Sequence, residues 1–447
     1  MMKTSRRTFL ISFLGMAVPV IFQALAGTIL GVIDSVMVGS ISEIAISGVT
    51  VANKTYVLYD LVVFGMSSGI GIFLAQYYGA NEQKKCRSTF WFGIELASGM
   101  GLVFLLLLYL MPTKLIQIYI DDIHIMEIGV CYLKIVKYSY LPEAISRVTA
   151  VYFRTCNKPK LPMYASLISI ICNIIFNYIF IFGKLGVPEM GVQGAALGTV
   201  ISKFIEMGIM FYFVIKEPTI SLFYKISEKD KINYFHILKK VVPLVLNEGV
   251  WALSKNIVFY NYCKVNEDYI PALTINDNIY DIVDAIIFGC AVSAGVIIGE
   301  ELGAGNFCEA KKTSKQVIKW NVLISISCCA LIFVATPFIP SLFSLSGKYA
   351  TAAIMLLRIK AIFCWTQGYW DTVYYVMRAG GDTQDVFWVD GFFMLCGPML
   401  ISTLMVQFTN LPFPYIFLAT ESTYLMKSII ATYLYKKERW VKNIATS

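Results

Sequence analysis

Residues 1–223 fall onto residues 224–446 at one fixed offset of 224. Pro19 lands on Pro243 and Arg154 on Arg378. Thr50, Tyr56, Asp60, Phe64-Gly65, Gly71 and Gly79-Ala80 land on Thr274, Tyr280, Asp284, Phe288-Gly289, Gly295 and Gly303-Ala304. No net insertion separates the first pair from the last. A repeat this long, in a strongly apolar chain, implies two copies of one helical bundle. In a membrane, paired bundles imply a transporter that opens alternately to each side.

The membrane setting follows from composition. Hydrophobic residues make up 57% of the chain, charged residues 15%, and the mean hydropathy is +0.67. Soluble domains carry roughly 45–50% apolar and about 25% charged residues. The apolar runs predict an all-α polytopic protein with spans at 9–38, 46–78, 89–111, 125–150, 162–183, 191–215, 238–263, 270–300, 317–345, 350–377, 386–409 and 412–435. Six spans per repeat keep both halves in one orientation, related by an axis along the membrane normal. The expected division is an N-terminal lobe at 1–215, a charged linker at 216–237 and a C-terminal lobe at 238–447.

The net charge of +8 does not mark a nucleic-acid-binding face, because the basic residues sit in short loops between apolar runs. With the N-terminus inside, the inner segments carry 24 Lys and Arg residues, and the outer loops carry only Lys114, Lys184, Lys264 and Lys348. This asymmetry predicts an inner-membrane protein with both termini cytoplasmic. Ser5-Arg6-Arg7-Thr8-Phe9-Leu10 looks like a twin-arginine export signal. The apolar run behind it exceeds a signal core, and Pro19 has a repeat partner, so the segment reads as the first span. Eleven scattered cysteines without a CxxC, and two histidines outside the spans, predict neither disulfide, metal nor catalytic base.

Charge at membrane depth is costly and marks candidate function. Lys134, Lys137, Arg147 and Glu143 surround the fourth span and read as structural pairing. Lys203 and Glu206, three residues apart, are placed to pair locally. Asp34 differs. It lies fifteen residues after Pro19, roughly 22 Å along a helix and so in the outer half, with no cation near it in sequence. Its repeat partner is Val258, so the fold itself does not require a carboxylate there. Asn173 and Asn177 share a face of the fifth span, and their partners are Gly397 and Ile401. They offer oxygens for a hard cation, or else bonds between helices.

The second half carries its own acids. Asp277, Asp281 and Asp284 form a stripe on the eighth span, while Glu248, Asp371 and Asp390 lie in the seventh, tenth and eleventh. Lys255 and Lys54 are the visible neutralising cations, enough for two of these six carboxylates. The remainder favours a cavity for cations. Trp251, Tyr280, Phe288, Trp365, Trp370 and Met377 read mostly as packing or interface anchors, with some available as cation–π walls.

These residues also carry a family resemblance. Pro19 with Asp34-Ser35-Val36-Met37-Val38-Gly39 resembles the first-span signature of the multidrug and toxic compound extrusion (MATE) family. Leu74-Ala75-Gln76-Tyr77-Tyr78-Gly79-Ala80, Arg154-Thr155-Cys156-Asn157-Lys158-Pro159 and Gly191-Val192-Gln193-Gly194-Ala195-Ala196-Leu197-Gly198-Thr199 resemble its later motifs. Ile298-Gly299-Glu300-Glu301-Leu302-Gly303 and Arg378-Ala379-Gly380-Gly381-Asp382-Thr383 do so in the second half.

The resemblance implies two six-helix lobes flanking a central cavity. It also implies efflux of organic cations or xenobiotics driven by inward H+ or Na+. It implies Asp34 as the coupling carboxylate, with Asn173, Asn177, Ala195 and Thr199 beside it, and helix bending at Pro19 and, by the repeat, Pro243. The family often has Asp at the position of Asn177, which weakens the case for Na+. Glu248 and Asp371 lie near further acids found in many members. No cofactor and a monomer in the bilayer are expected. A flippase for lipid-linked oligosaccharides, a membrane-embedded enzyme and a channel are the other readings. Twelve spans, the lack of a His- or Cys-based constellation and the asymmetric polar sites weigh against them in turn.

Overall fold

The computed structural model describes residues 6–120, 122–217, 220, 232–266, 269–343, 345 and 347–445. The described residues contain helices and connecting turns, with no strand. Most of the linker expected at 216–237, including Lys225, Lys229 and Lys231, lies outside them.

Twelve long helical segments follow one another. The first six are α1 (Arg6–Gly39), α2 (Glu43–Gly79), α3 (Gln83–Leu110), α4 (Ile123–Val136, a 3-10 turn, then Tyr140–Thr155), α5 (Lys160–Ile181) and α6 (Val192–Ile215). The second six are α7 (Tyr234–Val265), α8 (Ile270–Gly303), α9 (Phe307–Ala335), α10 (Gly347–Ala379), α11 (Thr383–Phe408) and α12 (Phe413–Lys436). Two short helices, Pro112–Gln117 and Ile339–Leu342, follow α3 and α9 at equivalent places in the two halves. Among the described residues, nine of the long segments are apolar enough to cross a membrane by composition alone. Of the other three, α4 is divided by its 3-10 turn into two shorter helices, and α7 and α12 carry charges such as Lys255 and Lys427 along their length. Large apolar side chains face outward, Leu331 at 71%, Val334 at 73% and Ile429 at 68% exposure, as lipid contact demands.

The repeat is written into the backbone as well. Asn81 and Asn157 have φ of 56° and 57°, and their partners Gly305 and Gly381 have 76° and 73°. Each sits just past a helix end, where the chain turns through the left-handed region. Asn and Gly are the two residues that enter it at low cost, so each copy satisfies the same geometry with a different residue. Pro19 and Pro243 both lie inside continuous helices, where each leaves a carbonyl without its usual donor.

Compactness divides the chain differently from the expected boundary at 215 and 238. Described residues up to Ile21 group with 242–445, and residues 22–241 form the other unit. The beginnings of α1 and α7 therefore each belong with the opposite repeat. Local contacts explain this: a Cβ on Gly289 of α8 would meet Ile21, and one on Gly69 of α2 would meet Val241.

Within the N-terminal unit, α5 and α6 lie close because Gly194 and Gly198 are four apart on one face. A Cβ on Gly194 would sit 2.7 Å from the Phe180 carbonyl oxygen. Small residues at this spacing let two backbones approach in a bilayer. In the C-terminal unit, apolar clusters around Tyr262, Phe413 and Phe417, and around Tyr280, Ile287 and Leu357, fill the space between α7, α8, α10 and α12.

Candidate functional site

The close seam between α5 and α6 carries a polar stripe on both sides. On α5, Ser166, Ser169, Asn173 and Asn177 recur every third or fourth residue, so they share one face. All four are buried, as are Ser202 and Glu206 on α6. Asp34 approaches this stripe from α1. The Asn177 amide donates to Asp34 Oδ1 at 2.8 Å and to Asn173 Oδ1 at 3.0 Å. The Asn173 amide in turn donates to Thr199 Oγ1 at 3.4 Å and Ser202 Oγ at 3.3 Å, and Thr199 donates to the Ala195 carbonyl at 3.0 Å. All five residues assigned to ion coupling from the sequence thus form one connected cluster.

The cluster supplies oxygens from Asp34, Asn173, Asn177, Thr199 and Ala195, the donor type a hard cation takes. Asn177 Oδ1 is buried and makes no hydrogen bond. Asp34 itself forms no salt bridge among the described residues. A Cβ on Gly198 would collide with the Asn177 side chain and lie 3.1 Å from its backbone nitrogen. Gly198→Ala should therefore push the Asn177 amide off Asp34. We expect gradient-driven transport to fall about tenfold, with a stability loss of about 1–3 kcal/mol. Gly208→Ala on the same helix, with open space around it, should change neither. Efflux rates and melting curves of the two variants check this.

Eleven residues earlier on both helices the arrangement repeats. Gln23 donates to Ser166 at 2.8 Å, so α1 and α5 run in constant register, 143 residues apart at both levels. Ser166 donates to Glu206 at 2.6 Å. Lys203 then bridges Glu206 and Glu143, 3.5 Å from each, and Arg147 reaches Glu143 at 3.6 Å and pairs closely with Asp60. Tyr56 donates to Glu143 at 2.6 Å. The expected pairing of Arg147 with Glu143 and of Lys203 with Glu206 is present. Lys137 differs: it lies 4.4 Å from the Tyr109 ring centroid. The part of Asp60 in this network was not foreseen.

The acidic set of the second half needs correction. Lys255 and Lys54 were expected to neutralise it, but Lys255 lies 5.6 Å from the Trp251 ring centroid and Lys54 is exposed. Other cations make the close ion pairs among the described residues. Lys427 donates to Asp390 at 2.6 Å, Arg378 lies 3.6 Å from Glu248, and Lys360 lies 3.7 Å from Asp277. Asp281, Asp284 and Asp371 make no salt bridge among the described residues. Three of six carboxylates are thus matched, and the charge argument for a cationic cavity is weaker than the local sequence implies. The stripe also splits, because Asp277 and Asp281 are exposed while Asp284 is half-buried. Tyr280 and Met377 are core residues, and Trp370 faces Lys427.

The repeat offset was the signal that could have found the missed groups. Lys203 falls on Lys427, and Gln23 falls on Asn247. Asn247 donates to Asp390 at 2.8 Å across 143 residues, the same separation as Gln23 to Ser166. The two halves therefore carry one duplicated amide bond. It ends on a hydroxyl in the first copy and on a carboxylate in the second.

One charged group outside the spans completes the picture. Lys158 donates to Glu217 at 2.5 Å at the C-terminal end of α6, and this bond raises the lysine above its ordinary pKa.

Twelve long helical segments in two copies among the described residues, with apolar side chains facing outward, define a polytopic membrane protein built from a duplicated six-helix unit. The chain belongs to the MatE family, whose model matches residues 19–179 and 243–403. Both ends of these two matches are 224 residues apart. A probable multidrug resistance protein NorM of Thermotoga maritima is 23% identical over 403 residues, 90% of this chain and 84% of that protein. A mutant of the Vibrio cholerae MATE transporter VcmN has the same fold, with a TM-score of 0.88 at 15% identity over 100% of both chains. So does a Pyrococcus furiosus transporter of the MOP superfamily, described as having a binding pocket of reverse polarity. Its TM-score is 0.85 at 17% identity, over 96% of this chain and 95% of that one.

Proposed function

We propose that the protein is a secondary active antiporter that exports organic cations and other xenobiotics in exchange for inward H+ or Na+. The observation that carries this reading is the cluster of Asp34, Asn173, Asn177, Ala195 and Thr199, whose carboxylate and two amides occur in one repeat only. A polar site required by the fold would recur at Val258, Gly397 and Ile401, and it does not. The names of the NorM relatives support multidrug cargo.

The repeats at 1–215 and 238–447 act as the two lobes, joined through 216–237 in a monomer in the inner membrane, with both termini cytoplasmic. Asp34 takes H+ or Na+ from outside, and its neutralisation releases the cargo. Helix α1 bends near Pro19, where a backbone bond is already missing, and Pro243 serves α7 likewise. The lobes then face inward, the ion leaves, and new cargo enters. Among the acids of the second half, Glu248, Asp371 and the others line the cargo side. No step makes or breaks a covalent bond, so no cofactor is involved.

A second reading, a flippase for lipid-linked oligosaccharides, draws on the cations Arg378, Lys360 and Lys427 within the second half. Liposomes loaded with a fluorescent organic cation separate the two. Efflux that follows an imposed pH or Na+ gradient supports the antiporter and identifies the ion. No efflux under either gradient would favour the lipid-linked cargo.

A further inference from the structure

Lys427 sits midway along α12 with its side chain fully buried. Its ammonium lies 3.3 Å from the centroid of the Trp370 ring and 6.0 Å from that of Tyr424. These two rings stack at 6.1 Å with an interplanar angle of 13°. On its other side the ammonium donates to Asp390 Oδ1 at 2.6 Å. Asp390 is held in place, because its second oxygen accepts from Asn247, whose own carbonyl accepts from the Gly391 N–H at 2.8 Å. The Trp370 indole N–H is buried and makes no hydrogen bond. An aromatic face opposite a fixed carboxylate is the chemistry that binds an organic cation, and desolvation strengthens such a cation–π contact.

The arrangement is particular to one half. The repeat partner Lys203 is half-buried among carboxylates, but the positions equivalent to Trp370, Tyr424 and Asp390 are Ser146, Val200 and Ser166. The fold therefore accepts a lysine here without an aromatic box around it. A buried pair such as Lys427–Asp390 adds little net stability over apolar residues of similar volume.

We propose that Trp370, Tyr424 and Asp390 form a seat for organic cations in the C-terminal half, and that Lys427 is its tethered occupant, displaced when cargo binds. This deepens the antiporter reading and rests on it. Lys427 sets the affinity, since cargo must outcompete a built-in ammonium. On release the lysine returns to Asp390 and blocks rebinding.

The test uses the purified full-length protein and tetraphenylphosphonium, with binding followed by calorimetry. Lys427→Met empties the seat and should tighten binding about tenfold, equivalent to about 1.4 kcal/mol. Lys427→Arg should leave affinity near that of the wild type. Adding Asp390→Asn to Lys427→Met should remove the gain. Lys427→Gln, which keeps a donor to Asp390, makes the same comparison if the Met variant folds poorly. Equal or weaker binding by the folded neutral variants overturns the proposal, as does a gain that survives Asp390→Asn. If the wild type binds and exports the cation but Lys427→Met binds no better, only the seat is lost. If neither protein binds and the wild type exports no organic cation, the antiporter reading falls with it.

Discussion

Asp34→Asn will leave the protein folded and abolish uphill efflux. The substituted amide keeps an oxygen where Asp34 Oδ1 now accepts from Asn177 at 2.8 Å, so the α1–α5 contact survives. The expected change in stability is within about 1 kcal/mol, the value of one such bond. What disappears is the negative charge, and with it the proposed site for H+ or Na+. In liposomes, efflux of an organic cation should fall to the leak rate under both a pH and a Na+ gradient, while its melting curve stays close to the wild type's. Normal accumulation against a gradient in this variant would show that coupling lies elsewhere, with the acids of the second half next in line.

Lys203→Met should have the largest effect on stability. Lys203 lies 3.5 Å from both Glu143 and Glu206, and both carboxylates are buried. Breaking a buried pair from one side leaves an uncompensated charge, at a cost of about 3–5 kcal/mol. Arg147 still reaches Glu143 but is 28% exposed and already engaged by Asp60. Glu206 is therefore the stranded group, and Glu206→Gln added to Lys203→Met should recover about 1–3 kcal/mol. Thermal unfolding of the single and double variants in detergent measures both figures. A single variant within about 1 kcal/mol of wild type would mean that water reaches these carboxylates, since only solvated ion pairs contribute so little.

Much of the fold was legible because its causes are local. A run of some twenty apolar residues has no low-energy form in lipid but a helix, so the spans could be read directly. Most edges moved by a few residues, the ninth span expected at 317–345 proved to be Phe307–Ala335, ten residues earlier at each end, and α4 and α11 proved irregular. In α11, π-helical turns at Trp388–Phe392 and Leu395–Met399 interrupt the α-helix and carry Asp390 and Pro398. The polar cluster around Asp34 was legible for a related reason. Asn173 and Asn177 are one turn apart, and with Asp34 they fall on Gly397, Ile401 and Val258 in the second copy, which set these three apart from the scaffold, whereas Ala195 and Thr199 recur as Ala419 and Thr423.

The repeat, the twelve helices, the family and the candidate cluster around Asp34 were thus determined by the sequence itself. The tertiary structure alone decided which charges are neutralised. Asp390 meets Lys427, Asp277 meets Lys360 and Glu248 meets Arg378 across 37, 83 and 130 residues of chain. Helical periodicity reports only neighbours three or four residues away. Coulomb energy depends on distance in space and on burial, and both are set by how the helices pack.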